Sequence, residues 1–226
     1  MMRRALAAIG IAALTMTSAL AADFPSRPLP RPRAPTYVPF FTWNGFYLGF
    51  NAGYGFGTSS WKDTVLGVST GNINTSGALL GGTVGYNYQT GGVVMGLEGD
   101  IAWSNIKGST INNCVTTCQT SLSWLGTGRV RLGYAFDRFL PYVTGGAAFG
   151  DVKGSVAGFG SFSNTQVGWA GGAGLEYAFV DHWSAKVEYL YADLGNSNCS
   201  TTCSGGNPFT VSFKTSIIRG GVNYKF

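Results

Sequence analysis

Histidine and charged residues are scarce in this chain of 226 residues. His182 is the only histidine, and 11% of the residues are charged. A hydrolase or acyltransferase needs a base beside an activated hydroxyl or water, and the sequence offers His182 no such partner. We therefore expect no catalytic residue, with a lipid-modifying enzyme that depends on His182 as the alternative. No cofactor is expected either, because the glycine-rich runs lie in predicted strands, whereas a phosphate-binding loop needs a helix after it.

Long hydrophobic runs are also missing. The run at residues 5–14 follows Arg3 and Arg4, and it precedes a small-x-small cleavage pattern at residues 19–21. It is too short for a membrane helix, and no later segment approaches the roughly 20 apolar residues that such a helix needs. We predict a secretory signal peptide over residues 1–21 and an exported chain without a helical anchor.

Positive charge is in excess only near the N-terminus. The formal net charge is +5, but from Asn44 onward ten Lys and Arg stand against nine Asp and Glu. The predicted folded part is nearly neutral, so we expect no nucleic-acid partner. Residues 22–42 contain six of the eight prolines and are predicted to form an extended periplasmic linker. Contact between this basic linker and an acidic periplasmic partner is the alternative to a simple spacer.

Eight segments in which apolar and polar residues alternate follow the linker, and such alternation predicts β-strands whose faces meet different environments. In the first segment, Phe46, Leu48 and Phe50 share one face, while Gly49 and Asn51 share the other. The alternation changes parity near Ser216, which predicts a bulge or a strand start there. The predicted strands cover residues 44–57, 77–88, 93–106, 122–135, 140–152, 166–179, 183–194 and 209–226.

The connections between these strands alternate between short and long. Tight turns are predicted at residues 90–91, 137–138 and 180–182. Long polar loops are predicted at residues 58–76, 107–121, 153–165 and 195–208. Short turns on one side and long loops on the other are typical of outer-membrane barrels. Both termini would then lie on the periplasmic side.

The distribution of side-chain size decides which face points inward. Eight strands enclose a space that side chains only just fill, so the many Phe, Tyr, Trp and Leu of one face must point outward to lipid. The sequence therefore predicts an all-β protein: a transmembrane eight-stranded antiparallel up-and-down β-barrel with meander topology over residues 43–226.

Charged residues on the inward face are predicted to form a network in the lumen. Glu98, Arg129, Glu188 and Arg219 lie at similar distances from the turns, with others nearby: Asp100, Arg131, Glu176 and Lys186. Confined charges are costly unless opposite signs pair. Two interpretations stay open, a structural plug of ion pairs and a gated path for ions or solutes, and the narrow lumen favours the plug.

The four cysteines form two similar pairs, Cys114 with Cys118 and Cys199 with Cys203. Both pairs lie in predicted exposed loops, where the oxidising compartment favours disulfides. Zinc is disfavoured because histidine and acidic partners are missing nearby. Two local disulfides are therefore expected, and a bridge between the two loops is not excluded by sequence.

Three stretches carry a resemblance to a known family: residues 43–49 (WNGFYLG), 187–191 (VEYLY) and 221–226 (GVNYKF). They resemble the small outer-membrane proteins of alphaproteobacteria, the outer-membrane immunogenic or porin-family proteins related to OmpA-type and opacity-type barrels. The resemblance implies an abundant, surface-exposed barrel that supports envelope integrity and has loops able to contact a host or neighbouring cells. A narrow porin that passes ions or small solutes is the alternative function.

The same resemblance implies partners and an assembly signal. The partners are outer-membrane lipid and lipopolysaccharide and, during biogenesis, periplasmic chaperones and the barrel-assembly machinery; a host surface ligand would bind through the loops. Tyr224 and the terminal Phe226 resemble the signal that the assembly machinery reads. The chain ends with the predicted barrel, so a peptidoglycan-binding domain is not implied.

Overall fold

A computed structural model describes residues 41–63, 67, 69–114, 117–156, 160–199 and 209–226. The predicted signal peptide and nearly all of the predicted linker lie outside these residues. The strands are β1 (Gly45–Asp63), β2 (Ser69–Thr90), β3 (Val93–Thr110), β4 (Cys118–Tyr134), β5 (Phe139–Val156), β6 (Gly160–Val180), β7 (Trp183–Cys199) and β8 (Phe209–Lys225). In the part of the chain that the structure describes, no helix has the length and apolar character needed to span a membrane.

The eight strands form one closed barrel in sequence order. Each strand pairs antiparallel with the next, and β1 closes the ring against β8, with Tyr47 opposite Lys225 and Asp63 opposite Phe209. Two-residue turns connect β2 to β3 and β6 to β7, and Gly91 adopts the positive φ that such turns require. The predicted eight-stranded antiparallel meander is confirmed.

The period-two alternation separates two surfaces as predicted. Large apolar side chains face outward, among them Leu97 at 66% and Trp103 at 71% exposure. Inward-facing neighbours such as Glu98 and Arg129 are 3% exposed. An apolar outer belt is stable in lipid but not in water, so the alternation that forms the strands also fits the barrel to a membrane.

The barrel is taller than the sequence predicts, because much of the predicted loops continues the strands. β1 continues to Asp63, and β2 begins at Ser69. In the same way, β3 continues to Thr110, and β4 begins at Cys118. The predicted loops at residues 153–165 and 195–208 likewise contain the ends of β5, β6 and β7. Their Ser, Thr and Asn are typical of loops, but here they alternate with inward-facing residues and keep the period of a strand whose outer face is polar. We call this end of the barrel the rim end and the opposite end the turn end.

The bulge or strand start predicted near Ser216 is absent from β8, so that prediction is wrong. β8 pairs with β1 without a register shift from Phe209 to Lys225. Val211 and Phe213 are apolar and point inward with 0% exposure, so the parity change marks an apolar section of the lumen and not a bulge. The register shift between Asp193 and Asn196 is an extra residue in β7, opposite Ser212 to Lys214 of β8, and it leaves the alternation within β8 unchanged.

A second correction concerns Leu122, because strict alternation over the predicted strand at residues 122–135 places it on the outer face with Trp124 and Val130. A register shift between Leu122 and Leu125 turns the upper part of β4 by one residue. Leu122 is therefore buried at 1% exposure, whereas Trp124, two residues later, lies on the outer side. An extra residue in one strand of a pair has this effect because side chains alternate with period two.

Among the described residues, three apolar clusters fill sections of the lumen around the charged residues. At the turn end, Trp43, Val94, Leu140 and Ala178 pack together. At the rim end, Trp61, Ile73, Cys118 and Val211 form a second cluster. The central and largest cluster comprises Leu79, Ala102, Ile106, Leu122, Leu125, Ala148, Val152, Ala170, Leu190, Ala192, Leu194, Phe213 and Ile217.

Candidate functional site

Arg129 is the hub of the charged section of the lumen. Its Nη1 lies 2.8 Å from Glu188 Oε1, its Nη2 lies 2.7 Å from Asp100 Oδ2, and Nη2 also contacts Glu98. Its Nε donates to Thr127 Oγ1 at 2.8 Å. The Arg129 side chain is 0% exposed, so these carboxylates replace the water that the guanidinium loses.

Arg219 and Lys186 extend this arrangement around the lumen. Arg219 Nη1 lies 2.9 Å from Asp100 Oδ1, and its Nη2 lies 2.6 Å from Glu188 Oε2. Lys186 Nζ donates to Glu98 Oε2 at 2.9 Å. The eight residues predicted from sequence are thus brought together as four acids and four bases, all buried: Glu98, Asp100, Arg129, Arg131, Glu176, Lys186, Glu188 and Arg219. We call them the lumen network.

Strand register explains the local pairs in the network. Glu98 lies opposite Arg129, and Glu188 lies opposite Arg219, on neighbouring strands. The bond from Arg129 to Glu188 instead joins β4 to β7 across the lumen. Bonds of that kind tie together strands that no backbone ladder connects, so the network braces the barrel wall.

Inward-facing glycines provide the space for these large side chains. A Cβ built at Gly53 would lie 2.7 Å from Arg219 Cβ, and one built at Gly146 would lie 2.7 Å from Arg129 Cα. Long arginine side chains and neighbouring glycines therefore share the limited volume of an eight-stranded barrel. Glycine at these inward positions therefore has a packing role.

Two tyrosines contact the lumen network but were not predicted as site residues. The Tyr47 hydroxyl donates to Glu98 Oε2 at 2.8 Å, and the Arg131 guanidinium lies 3.6 Å above the Tyr142 ring. The rings cover Gly85 and Gly174 on the adjacent strands. The position of Tyr47 on the polar face of β1 could have identified it as an inward-facing residue. Around Tyr142, neighbouring glycines and alanines obscure the alternation of apolar and polar residues.

The turn end of the lumen is sealed by the segment that enters β1. The Trp43 indole Nε1 donates to the Asp137 carbonyl at 3.0 Å, and its backbone N donates to Gln89 Oε1 at 2.8 Å. Lys225 Nζ contacts the carbonyl of Thr42 and lies 4.3 Å above the Phe41 ring. Apolar and polar contacts together hold this segment across the mouth of the barrel.

The structure describes both cysteines of the first pair but not both of the second. Cys114 and Cys118 form a disulfide in the β3–β4 hairpin. Cys118 begins β4 and packs into the rim-end cluster at 5% exposure. The predicted pairing of Cys199 with Cys203 lies outside the described residues and stays a prediction.

Removing the Cys114–Cys118 bond is expected to change the hairpin but not the barrel. The Cys114→Ala/Cys118→Ala variant should lose less than the ~3 kcal/mol that applies to a fifteen-residue ring, because this ring is much shorter. The measurement is urea unfolding of the detergent-folded barrel, with hairpin-specific antibody binding as the second readout. Loss of the folded barrel on reduction would contradict the expectation.

The remaining candidate residues lie at the turn end. The His182 ring stacks on Tyr224 with centroids 5.8 Å apart, and Tyr224 also contacts Trp183 and Phe226. These contacts give His182 a packing role, while the part of Tyr224 and Phe226 in assembly stays a prediction. Among the described residues, no group of three or more His, Cys, Asp or Glu is arranged to hold a metal ion.

Comparison with known proteins agrees with this architecture. The 31 kDa outer-membrane immunogenic protein of Brucella melitensis biotype 1 is 39% identical, over 96% of this chain and 97% of the relative. The 25 kDa outer-membrane immunogenic protein of Brucella abortus biovar 1 is 31% identical, over 92% and 91%. The 22 kDa outer membrane protein of Rhizobium leguminosarum bv. viciae is 32% identical, over 83% and 80%. The predicted alphaproteobacterial relationship is thereby confirmed.

A family-level match covers nearly the whole chain. Residues 9–226 match the outer membrane protein beta-barrel domain. The match includes all eight strands, the lumen network and the apolar clusters at both ends of the barrel. The chain therefore belongs to the outer membrane protein beta-barrel domain family, and it is an outer-membrane β-barrel protein.

Proposed function

We propose that this protein is a non-enzymatic structural barrel that supports the integrity of the outer membrane. The first described residue, Phe41, and the last residue, Phe226, lie at the turn end, which faces the periplasm, and the rim end projects from the cell surface. The relatives from Brucella are named immunogenic outer-membrane proteins, which supports exposure of the rim to the surroundings. During biogenesis the partners are periplasmic chaperones and the barrel-assembly machinery, as for other barrels of this membrane.

The filled lumen is the observation that carries the structural role. From the turn end to the rim end, the lumen contains an apolar seal, the lumen network and two further apolar clusters. Among these residues, Val94, Leu140 and Phe213 are 0% exposed. Ions cannot pass an apolar section of this kind without a large desolvation cost, so a structural barrel fits better than the alternative of a narrow porin.

Planar-bilayer recording distinguishes a structural barrel with a filled lumen from a narrow porin. Refolded protein should give no steady, reproducible openings at physiological salt. A variant with Leu140→Ser and Val94→Ser in the turn-end seal provides a comparison, because polar substitutions there remove one apolar barrier. Regular openings by the unchanged protein would overturn the structural assignment.

The proposed contact surface is the rim, where strand extensions replace part of the predicted loops. Strands held by backbone hydrogen bonds present a more rigid surface than free loops do. The Ser60 and Ser212 hydroxyls hydrogen-bond at 3.2 Å, and Asn113 Nδ2 donates to the Ser69 carbonyl at 2.7 Å. A host or neighbouring cell would therefore meet a pre-organised rim.

Epitope insertion tests the orientation of the barrel. A short epitope placed after Asn112, in the β3–β4 hairpin, should be stained by antibody on intact cells. The same epitope between Gly91 and Gly92, in a turn at the other end, should be stained only after the outer membrane is permeabilised. The reverse result would place the rim end in the periplasm and contradict the proposal.

A further inference from the structure

A concave polar surface of about 730 Å³ lies on the outer face of β3–β6 at the rim end. Two lysines, Lys107 and Lys153, lie within it together with hydroxyl and amide side chains. We call this surface the rim platform and define it by Lys107, Ser109, Gln119, Ser121, Lys153 and Ser163. It has no part in the lumen network, because these side chains point away from the lumen.

The strand register arranges the platform in rows. Lys107 lies opposite Ser121, and Ser121 lies opposite Lys153, so the two lysines occupy one row with a serine between them. Two strand spacings separate their Cα atoms by about 10 Å. Flexible lysine side chains on both sides of Ser121 can direct their ammonium groups onto one anion above it. The next row adds Ser109 opposite Gln119 as further donors.

The local charge balance leaves the platform positive. The acid near it among the described residues is Asp151, whose Oδ2 lies 3.7 Å from Lys153 Nζ. The Ser163 hydroxyl donates to Asp151 Oδ1 at 2.5 Å, so this carboxylate is shared. The Lys153 side chain remains 51% exposed, and Lys107 is exposed as well. Both ammonium groups can therefore bind an external anion.

The height of the platform on the barrel identifies the anion it meets. Directly below it, Trp103 and Trp124 form a cross-strand pair on the outer face. Tryptophans of a transmembrane barrel lie at the level of the lipid headgroups. A basic surface that begins immediately beyond them faces the phosphate layer of the outer leaflet.

We propose that the rim platform binds the phosphate of a phosphorylated lipid of the outer leaflet, held between Lys107 and Lys153. The ammonium groups and the Ser121 hydroxyl donate to the phosphate oxygens, while the acyl chains pack on the apolar belt below. Because the lipid is anchored in the membrane, the effective concentration of its phosphate at the platform is high. A free phosphate ion does not have this advantage. The inference rests on the proposed orientation, in which the rim end faces the outer leaflet.

Native mass spectrometry of the detergent-folded chain tests this site. The probes are bisphosphorylated lipid A, the same lipid after removal of both phosphates, and inorganic phosphate. The Lys107→Gln/Lys153→Gln variant should bind bisphosphorylated lipid A about 30-fold more weakly, from the usual contribution of two basic side chains near an anionic surface. The matched control is Lys62→Gln/Lys214→Gln, which removes the same charge from β1 and β8 on the opposite side of the barrel and should retain most of the affinity.

The outcomes separate the site from its alternatives. Preferential binding of the phosphorylated lipid that is lost only in the platform variant supports the proposal. Equal losses in both variants, equal binding of the dephosphorylated lipid, or inorganic phosphate binding as tightly as the lipid would each overturn it. Detergent micelles impose no orientation, so failure here is distinct from failure of the epitope test of orientation.

Discussion

Replacing Arg129 by Met is expected to lower the free energy of unfolding by about 3–5 kcal/mol, the usual cost of breaking a buried ion pair on one side. The Arg129 guanidinium contacts Glu98, Asp100 and Glu188. Without it the network holds four acids against three bases, and the excess negative charge has no solvent to stabilise it. Urea unfolding of the detergent-folded barrel measures the change.

Two further variants show whether charge balance is the cause. The Arg129→Met/Glu188→Met variant restores neutrality, and Arg219 keeps Asp100 as a partner, so part of the lost stability should return. Arg138→Met removes a partly exposed arginine that pairs with Asp181 at 3.0 Å in the turns, and it should cost less than about 1 kcal/mol. If Arg129→Met behaves like Arg138→Met, the network does not stabilise the barrel.

Replacing Gly146 by Ala is expected to destabilise the barrel by about 2–3 kcal/mol, because overpacking forces backbone shifts of that cost. A Cβ at this inward position would lie 2.1 Å from the carbonyl oxygen of Gly128 and 2.7 Å from Arg129 Cα. Both contacts are with backbone atoms of the neighbouring strand, which cannot rotate away. The same urea unfolding measurement applies.

Gly128→Ala is the matched control for Gly146→Ala. Gly128 lies one strand away and faces outward, and a Cβ built there meets nothing within 4 Å. We expect a change within about 0.5 kcal/mol, as for substitutions at open surface positions. A similar effect of the two substitutions would show that β4 and β5 approach less closely than the structure indicates.

The half of the barrel nearest the turn end could be predicted from residue alternation alone. Near the turn end, large apolar residues such as Leu97 and Val130 alternate strictly with charged residues such as Glu98 and Arg129. Only an inside-out barrel satisfies that alternation, because the large residues do not fit inside eight strands. Counting residues from the turns was then enough to place Glu98, Arg129, Glu188 and Arg219 at one level, since every strand rises by a similar distance per residue.

The rim half depended on tertiary structure. There the outer face is polar and the lumen is apolar, so Val211 and Phe213 point inward although apolar residues nearer the turns point outward. A register shift in β4 turns Leu122 inward as well. Polarity along the chain reports the environment of a face and not its direction, and the environment changes where the barrel leaves the membrane. The contact partners across the lumen were undetermined for the same reason: the bond from Arg129 to Glu188 joins strands that are not neighbours, and only closure of the barrel brings them together.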